Sequence, residues 1–200
     1  METVIPKEKE NCKCEIVKYK TSDSQYNCLK DFDVNIYSCL KNDRITVILP
    51  NEFIVKISRS KKLVILRQKT NEKSIVTPDG TRYEYFNVPN DSHQNINIIY
   101  PGQQYQRNLQ GIEKPLTIRS DEDFVRTDKN RTKFCFLGFT VKQSLFSLNG
   151  IRITIRVYTK DSNKSMRIRI CPEHQSFFVV HLLENKINRC TSSEFLCEHL

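Results

Sequence analysis

The chain has 200 residues and a formal net charge of +9, with 38% hydrophobic, 28% charged and 10% aromatic residues. That length fits one domain, or a domain with a small appendage, and needs neither disulfides nor metal to bury a core. The aromatic share argues against disorder, no stretch approaches the roughly 20 apolar residues of a membrane span, and the first residues, METVIPKEKENCKCEIV, lack the apolar run of a secretory signal.

The sequence holds no Trp and no Ala. Without Ala a chain loses its best helix former, and the frequent Ile, Val, Thr, Tyr and Phe favour strands. Residues 1–15 read as a polar arm, with a strand beginning near Cys14, and residues 20–31 read as a loop. Short β-branched and aromatic runs follow at 33–40, 44–49, 52–57, 62–67, 74–77 and 82–88. Turn signals separate them, the sharpest being Pro78-Asp79-Gly80, where Pro presets the first turn angle and Gly supplies positive φ. This spacing predicts an antiparallel meander. Residues 89–115, rich in Pro, Gly, Gln and Asn, read as a long irregular connection with a strand near 97–100 and as the place of any internal division.

In the second half, 116–119 reads as a strand. Ser120-Asp121-Glu122-Asp123 then carries the cap and acidic first turn of a short helix. Residues 134–139 form one apolar run. Runs at 141–148 and 151–158 flank Asn149-Gly150, which predicts a two-residue hairpin turn with Ser147 opposite Arg152 and Gln143 opposite Arg156. Further strands are expected at 166–171 and 177–183, and Thr191-Ser192-Ser193-Glu194 resembles a capping box for a last helical turn at 195–200. The fold class that follows is mostly β: a single β-rich domain over 1–200, with two packed antiparallel sheets as a β-sandwich or flattened barrel and short helical segments. A meander followed by a second small β domain is the alternative.

The run Ile151-Arg152-Ile153-Thr154-Ile155-Arg156-Val157-Tyr158 alternates strictly, and Met166-Arg167-Ile168-Arg169-Ile170 repeats the pattern. Paired, these strands bring Arg152, Arg156, Arg167 and Arg169 to one sheet face beside Tyr158. Like charges in register are destabilising, so the face needs acidic neighbours or an anionic ligand. A sugar–phosphate backbone with a base stacked on Tyr158 fits it. The plainer reading is a solvated face whose arginine stems cover apolar surface. Lys56, Arg59, Lys61, Lys62, Arg67, Lys69 and Lys73 read as charged protection of strand edges.

Eight cysteines in a chain without an export signal predict reduced thiols. Cys171, His174, Cys190, Cys197 and His199 are residue types that suit zinc, but their spacing matches no familiar finger, and buried thiols acting as small hydrophobes are commoner. The expectation is no bound metal and no cofactor. No Gly-rich phosphate loop, GxSxG or HExxH occurs, so the chain reads as a non-enzyme. The segment Thr77-Pro78-Asp79-Gly80-Thr81-Arg82-Tyr83-Glu84-Tyr85 resembles one unit of the β-hairpin repeats of some centriolar and ciliary proteins. It occurs once, and no role is carried over from it. The first reading of function is a protein–protein interaction or scaffold domain inside a larger intracellular assembly, nuclear or cytoplasmic. The second is a nucleic-acid-binding module using the basic sheet face.

Overall fold

The computed structural model describes residues 16–18, 32–39, 42–87, 94–101, 103, 105–115, 122–128, 130–145, 150–158, 164–183 and 186–191. Among them the protein is all strand and turn, with no helix. No helix is therefore long and apolar enough to cross a membrane among the described residues.

The first sheet holds β1 (Ile16–Lys18), β2 (Asn35–Cys39), β3 (Arg44–Leu49), β4 (Phe53–Ser58), β5 (Leu63–Arg67), β6 (Glu72–Val76), β7 (Arg82–Asn87), β8 (Gln94–Ile99), β9 (Tyr105–Asn108) and β10 (Glu113–Pro115). The second holds β11 (Glu122–Asp128), β12 (Arg131–Phe136), β13 (Phe139–Leu145), β14 (Ile151–Tyr158), β15 (Ser165–Cys171), β16 (Ser176–Leu183) and β17 (Lys186–Thr191). Each sheet is an antiparallel meander in which every strand pairs with its sequence neighbours. Turn chemistry sets the register. Gly138 (φ 87°) lets the chain reverse between Phe136 and Phe139 in two residues. At Pro78-Asp79-Gly80, Asp79 accepts hydrogen bonds from the Thr77 and Thr81 hydroxyls, and Gly80 takes φ 89° against Pro101.

Alternation along the strands sends one set of side chains inward. Ile36, Val47, Val55 and Ile65 stand in one row across β2 to β5. Phe134, Val141, Ile155, Ile168 and Val179 stand in one row across β12 to β16. Both rows belong to a single buried apolar cluster. The Phe53 ring of the first sheet lies 4.8 Å from Phe136 and 5.0 Å from Phe139 of the second, and the Gln143 amide donates to the Thr77 carbonyl at 2.9 Å. Edge-to-face and offset rings at these separations add to area burial.

Several expectations are corrected. Glu122 and Asp123 open strand β11 rather than a helix. The acidic cap signal loses to pairing with β12, at the cost of a register irregularity between Glu122 and Phe124. The expected helical turn at 195–200 and the expected strand at 116–119 lie outside the described residues. Part of the stretch 89–115 is regular: β8, β9 and β10 continue the first sheet through it. Arg67, expected on a guarded edge, is 3% exposed and stacks over the Phe136 ring at 5.4 Å. The run 134–139 is two strands and a turn.

The Asn149-Gly150 turn is also corrected. Leu145 pairs with Ile151, so five residues rather than two lie between these partners, of which 146–149 lie outside the described residues. Ser144, not Ser147, stands opposite Arg152, and Thr140, not Gln143, opposite Arg156. The expected pairing differs from the observed one by an odd number of residues, which exchanges the two faces of β13. Gln143 is thereby turned inward, at 1% exposure, and Lys142 outward.

Candidate functional site

The outer face of the second sheet gathers the basic side chains. Strands β14 and β15 pair so that Arg156 faces Arg167 and Thr154 faces Arg169. Burial alternates along both strands, with the isoleucines and Met166 buried and the arginines partly exposed. Arg152, Arg156, Arg167, Arg169 and Tyr158 therefore share one face, where they line an open hollow of about 400 Å³. The Tyr158 amide donates to the Gly138 carbonyl at 2.8 Å, which fixes the Tyr158 end of the face against the β12–β13 turn.

The register of β12 and β13 adds cations that the sequence reading did not include. Lys133 stands opposite Lys142, which stands opposite Thr154; Arg131 stands opposite Ser144, which stands opposite Arg152. Arg131, Lys133 and Lys142 line the same hollow, with Thr140, Ser144 and Thr154 supplying hydroxyls between them. No carboxylate lines it among the described residues. At the far edge, strand pairing sets Arg126 opposite Lys133 and Asp128 opposite Arg131. The available signal was the alternation Arg131-Thr132-Lys133-Phe134, hidden because 134–139 read as one strand.

The electrostatics follow from this crowding. Burial and the surrounding Arg131, Lys133, Arg152 and Arg167 hold the Lys142 ammonium below the usual lysine range. Burial, then Arg156 and Arg169, push the Arg167 guanidinium down, partly offset by Tyr158. A cation whose charged form is disfavoured by its neighbours is stabilised by any anion brought to the face. Planar guanidinium forks match phosphate oxygens in pairs, and the hydroxyls can donate to the same oxygens.

The candidate metal residues divide. Cys171 and His174 come together, and Glu173 joins them: one ligand atom from each lies within 4.8 Å of the others. Cys190 is on β17 opposite Val179, whereas Cys171 is opposite Ser176. Its backbone is two strands across and three residues along, about 14 Å away on standard strand spacings, which is too far to share a tetrahedral ion. Cys197 and His199 lie outside the described residues. Cys39, Cys135 and Cys171 are not in disulfides. His174 is exposed at the β15–β16 turn.

No family model matches the chain, and no curated protein or solved structure matches it.

Proposed function

We propose that this chain is a non-enzymatic binding module that holds the phosphate backbone of a nucleic acid on the outer face of β12–β15. The two sheets serve as the two layers of a β-sandwich, so that one layer stiffens the other. The observation that carries the reading is the row structure of the face: Arg156 opposite Arg167, with Arg169 and Lys142 on the same face and no carboxylate among the described lining residues. Such pairs weaken a free sheet and strengthen a liganded one. The sheet is also a rigid element, which keeps the cost of ordering the site on binding low. Tyr158 at one end offers a ring for a base, as aromatic side chains do in single-strand binders. The reading fits an intracellular setting, nuclear or cytoplasmic, where nucleic acid and reduced thiols coexist.

The experiment is fluorescence anisotropy with a labelled single-stranded oligonucleotide, repeated across salt concentrations. The expected outcome is binding whose log affinity falls with log salt, with a slope near −0.7 for each phosphate neutralised on a single strand. Arg156→Gln should reduce that slope by about the share of one contact. Absence of binding at low salt, or binding unchanged by the double reversal Arg156→Glu and Arg167→Glu, removes the reading. In that case the scaffold reading takes its place, with an acidic protein surface as the counterpart of the same face.

A further inference from the structure

We propose that Cys171, Glu173 and His174, at the turn between β15 and β16, form a binding site for a zinc-class divalent cation, separate from the phosphate-binding role of the face. The juxtaposition is local. β15 ends at Cys171, β16 begins at Ser176, and these two residues pair across the turn. The chain must reverse in four residues, and it is held while doing so. Gln175 adopts φ 49° and donates to the Pro172 carbonyl twice, from its amide nitrogen at 3.4 Å and from Nε2 at 2.7 Å. Thiol, carboxylate and imidazole thus project from a backbone already bent, with their ligand atoms within 4.8 Å of one another.

The donor set selects the metal. Sulfur and imidazole nitrogen suit zinc, whereas calcium and magnesium take oxygen ligands alone. Zinc–sulfur bonds near 2.3 Å and zinc–nitrogen bonds of about 2.0 Å place tetrahedral ligand atoms roughly 3.5 Å apart. Closing from the observed spacing takes a displacement of about 1 Å, within the rotamer freedom of the exposed His174. Water fills the fourth position. On binding, the Cys171 thiol gives up its proton to solvent. The thiolate and the Glu173 carboxylate then neutralise the ion, and affinity falls as pH falls.

One neighbour tunes the site. Lys61, in the β4–β5 turn of the first sheet, forms an ion pair with Glu173 Oε1 at 2.7 Å. Its ammonium competes with a cation for that carboxylate and repels the ion through space. The site therefore sits where a turn of each sheet meets the other, and the lysine sets how tightly it holds metal.

The test uses the full chain kept reduced with a phosphine, titrated with Co²⁺ as a visible substitute and then with Zn²⁺. The expected result is one cobalt per chain, a thiolate-to-cobalt charge-transfer band, and displacement by zinc. Cys171→Ser should abolish the band, and His174→Gln should weaken binding by about tenfold or more. Lys61→Gln should tighten binding several-fold, an effect that a purely structural ion pair does not predict. Cys190→Ser and Cys197→Ser should leave the band in place. Melting curves and the β-type circular dichroism of each variant report folding. No band in the folded wild-type chain overturns the proposal, as does a band that survives in folded Cys171→Ser or vanishes in folded Cys197→Ser. Should Cys171→Ser fail to fold, unaltered cobalt affinity in His174→Gln overturns it equally.

Discussion

Two groups of arginines on alternating strands meet opposite electrostatic conditions in this molecule. Arg67 and Arg82 lie on the inner side of the first sheet, 3% and 2% exposed. Each has compensation built in. Arg82 Nε is 3.4 Å from Glu84, itself buried, and its guanidinium lies 5.4 Å over the Phe134 ring of the second sheet. Arg67 donates to Ser74 and stacks over Phe136. Arg156 and Arg167, on the outer side of the second sheet, face each other with further cations around them and no lining carboxylate among the described residues. A buried guanidinium cannot persist without carboxylate or aromatic partners, because desolvation costs several kcal/mol. A partly exposed one can, because water screens the repulsion and the stems still cover apolar surface. The inner arginines carry their compensation within the fold, whereas the outer ones lie partly exposed among like charges.

The largest test of that contrast is Glu84→Gln. It leaves Arg82 buried without its carboxylate, and the expected loss of stability is about 3 kcal/mol by urea denaturation. Replacing both partners, as Arg82→Met with Glu84→Leu, should recover most of that loss. If the single change costs under about 1 kcal/mol, the inner pair is no better compensated than an exposed one, and the comparison fails.

On the outer face the same kind of change should act on binding and spare the fold. Arg156→Glu with Arg167→Glu is expected to weaken oligonucleotide binding about 100-fold at low salt, equivalent to about 2.7 kcal/mol. Unfolding free energy should stay within about 0.5 kcal/mol of wild type or rise. A large destabilisation would show that these arginines have internal partners.

Smaller still is the effect of removing a single crowded charge. Arg167→Gln should leave the free protein's melting temperature unchanged or slightly higher, since burial, and then Arg156 and Arg169, push this guanidinium down. The same variant should show a smaller rise in melting temperature on adding oligonucleotide, because a ligand that binds only the folded state stabilises it by mass action.

The pH dependence sharpens the comparison furthest. Lys142 is held below its ordinary value of 10.5 in the folded chain. Between the lowered value and 10.5 the unfolded chain binds more protons, so this group's contribution to stability improves as pH rises through that window. Phosphate binding favours the protonated form, so affinity should fall across the same window. Lys142→Met should remove that part of both trends, read from denaturation and anisotropy at stepped pH. Asp79 shifts stability in the same sense with pH, but in the acid range. Hydrogen bonds from Thr77 and Thr81 hold its carboxyl below the usual range, so the stability it adds is present above its unfolded value and disappears as pH falls through the folded one. Asp79→Asn should flatten that acid limb.

Strand existence was legible through most of the chain because it rests on local composition and period. The runs at 44–49 and 151–158 coincide with β3 and β14 residue for residue. The pairing of β14 with β15, and with it the arginine face, followed from two alternating runs separated by a short loop. Turns were less legible. Leu137-Gly138 is a two-residue reversal, whereas around the stronger-looking Asn149-Gly150 the register leaves five residues between the partners Leu145 and Ile151. Because a register error by an odd number of residues exchanges faces, that one difference placed Gln143 outside and left Lys142 out of the site.

The amino-acid sequence by itself determined that the chain forms antiparallel strands, and which residues of β14 and β15 share a face, because period-2 alternation is a property of the backbone. The tertiary structure alone decided what lies on the other side of each strand. It turned Arg67 and Arg82 inward against the aromatic rings of the second sheet, brought Lys133 and Lys142 beside the arginines, and set Lys61 against Glu173. Those contacts join residues far apart in the chain. They depend on register and on how the faces meet, and neither is written in any short stretch of sequence.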